Sequence, residues 1–179
     1  MGNFYVNVTL LDVGIDDVRR AAPRPSFVGA VGTDAVVYAA ADDAGAPIVG
    51  AELTRALGCT GISVGVHDDD LLFWEVHRTG ESVASGAVPD PAVVFGLGED
   101  EIARPEGDAA ADLVAALGRG DVEVLRAVLD ADHTFATDRH VAFVDALQLP
   151  QAAVGWGYRY VEVDWPRDDP ELPPIEHLA

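Results

Sequence analysis

The segment His67-Asp68-Asp69-Asp70 is the part of the sequence best suited to bind a cation. Adjacent carboxylates attract divalent ions, so His67, Asp68 and Asp70 form a candidate Mg²⁺ or Ca²⁺ site. A structural interpretation competes with this one. The segment falls between two predicted strands, where Asp is a good turn former, and consecutive side chains in a turn diverge. We expect the turn, and keep the cation site as the alternative.

A second acidic segment begins with Asp130-x-Asp132 and resembles the opening of a calcium-binding loop. The match then fails, because Phe135 stands where the loop needs Gly and Val141 stands where it needs a bidentate Glu. We therefore exclude a calcium loop and expect these acids to lie on the surface before a helix.

Other catalytic patterns are missing from the sequence. The five histidines form no His-x-x-x-His or His-Glu-x-x-His pair, and no Gly-x-Ser-x-Gly elbow or phosphate-binding loop is present. His77 and Glu75 are predicted on one strand face, where they can pair. Cys59 is the only cysteine and is predicted to be inert. The sequence thus predicts no catalytic residues and favours a protein that is not an enzyme.

The segment Gly155 to Tyr160 concentrates aromatic side chains. In a strand, Trp156, Tyr158 and Tyr160 would share one face and Arg159 would lie on the other. One interpretation is a late strand that packs its aromatics on the core. The other is a patch for a protein partner formed by Trp156, Tyr158, Arg159 and Tyr160, because aromatic residues and Arg dominate interface hot spots.

The chain is strongly acidic. The chain contains thirty-one acidic and eleven basic residues, and all the basic ones are Arg, so its net charge is −20. Such a field repels nucleic acid and anionic membranes and attracts basic proteins. No apolar run reaches the ~20 residues of a membrane span, and the N-terminus lacks a signal-peptide pattern, so we expect a cytoplasmic protein. Host composition explains the acidity equally well.

Residues 1–88 predict the element order β-α-β-β-α-β followed by a hairpin. Phe4, Val6, Val8 and Leu10 alternate with more polar residues, which indicates a strand with one buried face. Strands over 27–31 and 34–40 follow, then a helix from Pro47, then strands over 62–66, 71–76 and 81–88. This order is typical of the ferredoxin-like arrangement, an antiparallel sheet with both helices on one face.

The second half is predicted to be mostly helical. Residues 89–106 are rich in Pro, Gly and acid and predict a mobile connection. Three helices follow, with Asp108, Asp121 and Thr137 as expected N-caps. A last strand is predicted near Val154 to Val163, before an acidic tail. The whole chain, 1–179, is therefore predicted to be a single α+β domain, with residues 107–179 as its helical segment, C-terminal strand and tail.

Scattered motifs resemble a group of uncharacterised bacterial α+β proteins. The resemblance rests on Val66-His67-Asp68-Asp69-Asp70-Leu71-Leu72, on Gly80-Glu81, on Gly157-Tyr158-Arg159-Tyr160 and on the opening Asn-Phe-x-Val-Asn pattern of residues 3–7. No activity is assigned to that group. The resemblance implies a cytoplasmic bacterial domain and nothing about mechanism.

The leading functional hypothesis is a protein-binding or regulatory domain. Its acidic surface would recognise a basic partner, as an inhibitor or immunity protein does for a nucleic-acid-directed enzyme. The alternatives are a small metal-dependent enzyme built on His67, Asp68 and Asp70, and a domain whose acidity reflects only its host.

Overall fold

The computed structural model describes residues 2–40, 45–96, 107–166 and 172–179. Those residues form an α+β fold, as predicted. The strands are β1 (Tyr5–Leu10), β2 (Ser26–Val31), β3 (Asp34–Ala39), β4 (Thr60–His67), β5 (Leu71–Arg78), β6 (Glu81–Val88) and β7 (Ile175–Leu178). The helices are α1 (Ile15–Ala21), α2 (Gly45–Leu57), α3 (Pro91–Phe95), α4 (Ala109–Leu117), α5 (Val122–Asp130), α6 (Ala136–Ala146) and α7 (Tyr158–Asp164).

The seven strands form one antiparallel sheet in the order β6-β5-β4-β1-β3-β2-β7. The sheet is larger than the ferredoxin-like arrangement, and on one side it is extended by β7, which pairs with β2. The hairpin of β5 and β6 extends the other side of the sheet. The strand β1 therefore lies near the centre, paired with both β3 and β4.

Helices cover both faces of this sheet. On one face α1 and α2 pack over a core that includes Val8 and Leu10 of β1. On the other face α4 to α7 and a short 3-10 turn at 151–153 pack over two further clusters. All six residues of β1 are buried, including Asn7 and Thr9. The prediction that this strand has one buried face is wrong, because the helices of the second half cover the face that was expected to meet solvent.

The contact between α2 and the sheet depends on Gly50. A Cβ at this position would lie 2.3 Å from Ser63 Oγ on β4 and 3.2 Å from His77 Nδ1 on β5. Atoms at 2.3 Å overlap, so only glycine lets the helix approach this closely. The close approach also allows Ser63 Oγ to donate to the carbonyl oxygen of Ala46 at 3.1 Å.

The strand predicted near Val154 to Val163 does not exist. This stretch holds the end of the 3-10 turn, a loop and α7. The aromatic residues also fit a helical period, since Tyr158, Val161 and Trp165 all pack on the cluster that contains Phe27 and Tyr38. The last strand is instead β7, within the segment that was predicted to be an acidic tail.

The predicted helices of the second half form, with two of their three predicted caps. The Asp108 carboxylate accepts from the backbone N–H groups of Ala110 and Ala111 at the start of α4, and Asp121 caps α5 in the same way. The predicted connection 89–106 contains the helix α3, and its residues 97–106 lie outside the described part of the chain. In the described ranges, the helices are all too short or too polar to cross a membrane.

Candidate functional site

The segment His67-Asp68-Asp69-Asp70 forms the turn between β4 and β5. Asp68 and Asp69 have positive φ angles of 51° and 62°, and the N–H of Asp70 donates to the carbonyl oxygen of His67 at 3.0 Å. Two successive left-handed residues make a tight turn that matches the twist of a hairpin, and Asp tolerates this conformation better than most residues. The turn interpretation of this segment is confirmed.

The turn also starts the helix α6. The backbone oxygen of Asp69 accepts from the N–H of Ala136 at 2.7 Å. The Asp69 carboxylate accepts from the Thr137 N–H at 3.2 Å and from its hydroxyl at 2.7 Å. The predicted cap at Thr137 is therefore wrong, because Thr137 lies inside the first turn and Asp69 satisfies its N–H from another element. A carboxylate is favourable there, since the N-terminal end of a helix is partly positive.

The N-terminal segment completes this junction. Asn3 Nδ2 donates to Asp69 Oδ2 at 3.0 Å, and the N–H of Asp69 donates to the carbonyl oxygen of Asn3 at 3.1 Å. The N–H of Gly2 donates to Asp68 Oδ1 at 3.0 Å. We call the contact among residues 2–4, 67–70 and 135–138 the turn–helix junction. It joins three segments that are far apart in sequence, and the side chain of Asp69 bonds to both of the other two.

A buried pair of side chains lies behind the junction. The Tyr5 hydroxyl and His140 Nδ1 are hydrogen bonded at 2.8 Å, and the two rings are stacked with their centroids 5.7 Å apart. Burial lowers the pKa of His140 to about 3 and raises the pKa of Tyr5 to about 12. Both groups are therefore neutral near pH 7. This pair holds β1 against α6 and has no access to a substrate.

Exposed phenylalanines flank the acids of the junction. The ring of His67 contacts Phe4 and Phe95 with centroid distances of 4.8 and 5.5 Å. Phe4, Phe95 and Phe135 are 45%, 48% and 51% exposed. Phe4 and Phe95 contact the same His67 ring and so lie close together, and clustered exposed apolar side chains are typical of surfaces that bind other molecules. The outer surface of the junction thus combines phenylalanine rings with carboxylates.

The predicted cation site gains no geometric support. In the described part of the chain, no group of three or more His, Cys, Asp or Glu side chains is arranged to hold a metal ion. The Asp68 carboxylate is hydrogen bonded to Gly2, and the ring of His67 packs on phenylalanines. Metal binding by His67, Asp68 and Asp70 stays a prediction.

The four residues of the predicted partner patch are placed by α7 and the loop before it. The ring centroid of Trp156 lies 4.9 Å from that of Trp165, and the ring centroid of Tyr158 lies 5.3 Å from that of Phe27. Tyr160 packs on the cluster beneath α4 to α6, whereas Arg159 is exposed. The three aromatics therefore contribute to the core, and the patch stays a prediction.

The predicted pairing of His77 with Glu75 is present. His77 Nε2 lies 3.3 Å from Glu75 Oε1, and His77 is buried under α2. Burial lowers the pKa of His77, although the neighbouring Glu75 carboxylate opposes this effect. Its Nδ1 faces Gly50 and has no hydrogen-bond partner in the described residues. A histidine enclosed between helix and sheet supports packing and has no open side for a substrate.

Most of the described arginines bond to other groups of the same chain. Eight of the nine described arginines donate to a carboxylate or to a backbone carbonyl oxygen of this chain. Arg119, for example, donates to Asp34 at 2.6 Å and also reaches Asp12. At the turn–helix junction the exposed carboxylates of Asp68, Asp70 and Asp138 have no ion pair with a described arginine. The negative charges of these three carboxylates are therefore available to cationic groups of another molecule.

The chain matches no protein-family model, and comparison with curated proteins and with solved structures finds no significant match. Function must therefore be inferred from the surfaces themselves.

Proposed function

We propose that this protein is a protein-binding, regulatory domain whose acidic surface recognises a basic partner. The proposal rests on the observation that most described arginines are bonded within their own chain. Because eight of the nine described arginines are bonded to carboxylates or carbonyl oxygens of their own chain, the exposed carboxylates of Asp68, Asp70 and Asp138 have no described arginine as a counter-charge. A surface of this kind steers basic proteins toward it and repels nucleic acid.

The turn–helix junction is the contact surface that fits this function best. Its carboxylates at Asp68, Asp70 and Asp138 suit lysine and arginine side chains, and its phenylalanines at Phe4 and Phe135 add exposed apolar area. Arginine also binds the faces of aromatic rings, so one basic side chain can use both kinds of group. An inhibitor or immunity protein for a nucleic-acid-directed enzyme has this chemistry, since its carboxylates occupy the place of phosphates.

We further propose that β1 to β4, α1 and α2 constitute a ferredoxin-like unit, the scaffold of this surface. The strand order β4-β1-β3-β2, with antiparallel neighbours, supports this assignment. The packing of α1 and α2 on one face supports it as well. In this proposal the hairpin of β5 and β6, the helices α3 to α7 and the strand β7 are additions, and the junction lies where the unit meets α6.

A charge-matched pair of variants tests the proposed function. The first variant, Asp68→Asn/Asp70→Asn/Asp138→Asn, removes three carboxylates from the junction. The control, Glu52→Gln/Glu162→Gln/Asp164→Asn, removes three exposed carboxylates from α2 and α7. Both variants change the net charge equally. Basic proteins retained by the wild-type protein at low salt are identified, and the affinity of each is then measured with the purified partner by titration calorimetry.

We expect the junction variant to weaken binding by at least ~10-fold and the control by less than ~3-fold, because close charge pairs contribute more than the distant field. Equal losses for the two variants would show that net charge alone drives binding and would remove the junction from the proposal. If the purified wild-type protein binds none of the basic candidates at low salt, the proposed function is wrong.

A further inference from the structure

The strand β6 forms one edge of the sheet. It pairs with β5 along one side, and no described residue pairs with its other side. Edge strands are usually protected by lysine, proline or charged residues that point inward. The sequence Ser82-Val83-Ala84-Ser85-Gly86-Ala87-Val88 contains none of these, and among the described residues the strand is protected by the exposed Glu81 at its start and by a bulge at Val83. From Ala84 to Val88 the backbone is regular, and the hydrogen-bonding groups on its outer side have no strand partner among the described residues.

A groove runs beside this edge between β6 and α4. It encloses about 280 Å³, and its walls include Trp74, Ala84, Ser85, Ala109 and Asp112. The exposed Asp112 carboxylate makes no hydrogen bond or ion pair with a described residue. The groove therefore combines an indole ring at its base with an uncompensated negative charge at its rim. This combination suits a long basic side chain, whose methylene groups are apolar and whose end is charged.

We propose that β6 binds an extended basic segment of the partner by strand addition. In this arrangement the segment pairs its backbone with Ala84 to Val88 and places one lysine or arginine side chain in the groove, against Asp112. This inference rests on the proposed function and specifies how the partner is held. Backbone hydrogen bonds supply affinity in such complexes, and alternate side chains supply specificity.

The net negative charge of the molecule favours a basic segment at the β6 edge over a second copy of the same chain. Pairing of β6 with β6 of another molecule would bring together two chains that each carry a net charge of −20. Like charges at an interface cost free energy, whereas a basic segment gains it at the same edge. A basic segment also places alternate side chains on the face of the sheet that carries the groove, next to Asp112.

Peptides that differ only in their backbone test the inference. The probe is a short fluorescent peptide that alternates arginine with valine, and its binding is followed by fluorescence anisotropy at low salt. Two further versions carry N-methyl groups on alternate residues, one on the arginines and one on the valines. N-methylation removes donors along one edge of the peptide and leaves its charge unchanged. Protection of the β6 amides from hydrogen exchange gives an independent readout.

We expect the probe to bind and to protect residues 84–88. One methylated version should bind at least ~10-fold more weakly, because it loses several hydrogen bonds of roughly 1 kcal/mol each. The variant Asp112→Asn should weaken binding about 3-fold, and the charge-matched control Glu162→Gln on α7 should not weaken it.

Three results would overturn the inference. If both methylated versions bind as well as the probe and β6 stays unprotected, strand addition is wrong, while recognition of basic partners through the acidic surface stands. If the unmethylated probe does not bind at low salt, strand addition fails, and the titrations with purified basic proteins decide the proposed function separately. If β6 is protected by self-association in a sedimenting dimer, the occupant is a second copy of the chain.

Discussion

Acidification should destabilise this protein through His140. The side chain is fully buried, and its Nε2 has no hydrogen-bond partner among the described residues. Burial lowers its pKa to about 3, from an ordinary value near 6.5 in the unfolded chain. The unfolded state therefore binds a proton that the folded state excludes. The corresponding stability is fully present above about pH 6.5 and is lost as the pH falls toward 3.

The size of the effect follows from the two pKa values. Integration of the proton linkage between pH 7.5 and pH 5 gives a loss of about 2 kcal/mol from His140 alone. The full difference between the two pKa values corresponds to about 5 kcal/mol, and this loss is complete only below about pH 2. A loss of about 2 kcal/mol is a large fraction of the free energy of unfolding, which is typically about 5–15 kcal/mol for folded domains.

Urea unfolding followed by circular dichroism at several pH values measures this loss. The reference is His140→Asn, which keeps an acceptor for the Tyr5 hydroxyl and does not titrate. Protonation of carboxylates and of His77 affects both proteins and cancels in the comparison. We expect wild type to lose about 2 kcal/mol more than the variant between pH 7.5 and pH 5.

A second variant separates the histidine from its partner. In Tyr5→Phe the imidazole stays buried, so the extra loss of stability in acid should persist. Equal pH dependence of wild type and His140→Asn would refute the reasoning, and so would an NMR titration that places the pKa of His140 near its ordinary value.

Two further predictions concern the turn–helix junction and the charge. Asp69→Ala should destabilise the fold by about 2 kcal/mol in urea unfolding, since it removes a helix cap and the hydrogen bonds to Asn3 and Thr137. The exposed neighbour Asp70→Ala should change stability by less than about 0.5 kcal/mol, and equal effects would contradict the capping role. Added salt should raise the melting temperature by about 3 °C between low and moderate concentrations, since it screens the self-repulsion of a chain with net charge −20. A fall in the melting temperature would count against it.

The first half of the fold could be predicted from local signals. Hairpin turns, the alternating strands and the glycine after α2 all act over a few residues, and the observed elements lie within one or two positions of the predicted ones. The second half was harder, because Trp156, Tyr158 and Tyr160 have the spacing of a strand face, whereas Tyr158, Val161 and Trp165 have the spacing of a helix face. Only the contact of Trp165 with the cluster around Tyr38 decides for the helix.

The junction could be predicted only in part. The turn at Asp68 and Asp69 follows from residue type, but the role of Asp69 as a cap depends on a contact with Thr137, 68 residues away. The Tyr5–His140 hydrogen bond spans 135 residues, and neither residue carries a local sign of it. Contacts of this kind are set by how the helices of the second half cover the sheet, which periodicity within one element does not encode.

The position of β7 affects how the chain folds during synthesis. Its partner β2 leaves the ribosome early, but the edge of β2 that β7 covers stays open until residue 178 is translated. At 5–20 residues per second this interval lasts roughly 7–30 s. Throughout that time the edge of β2 can contact the nascent chains of other ribosomes that translate the same messenger RNA. The electrostatic repulsion between such acidic chains then acts as protection against aggregation, before any partner is met.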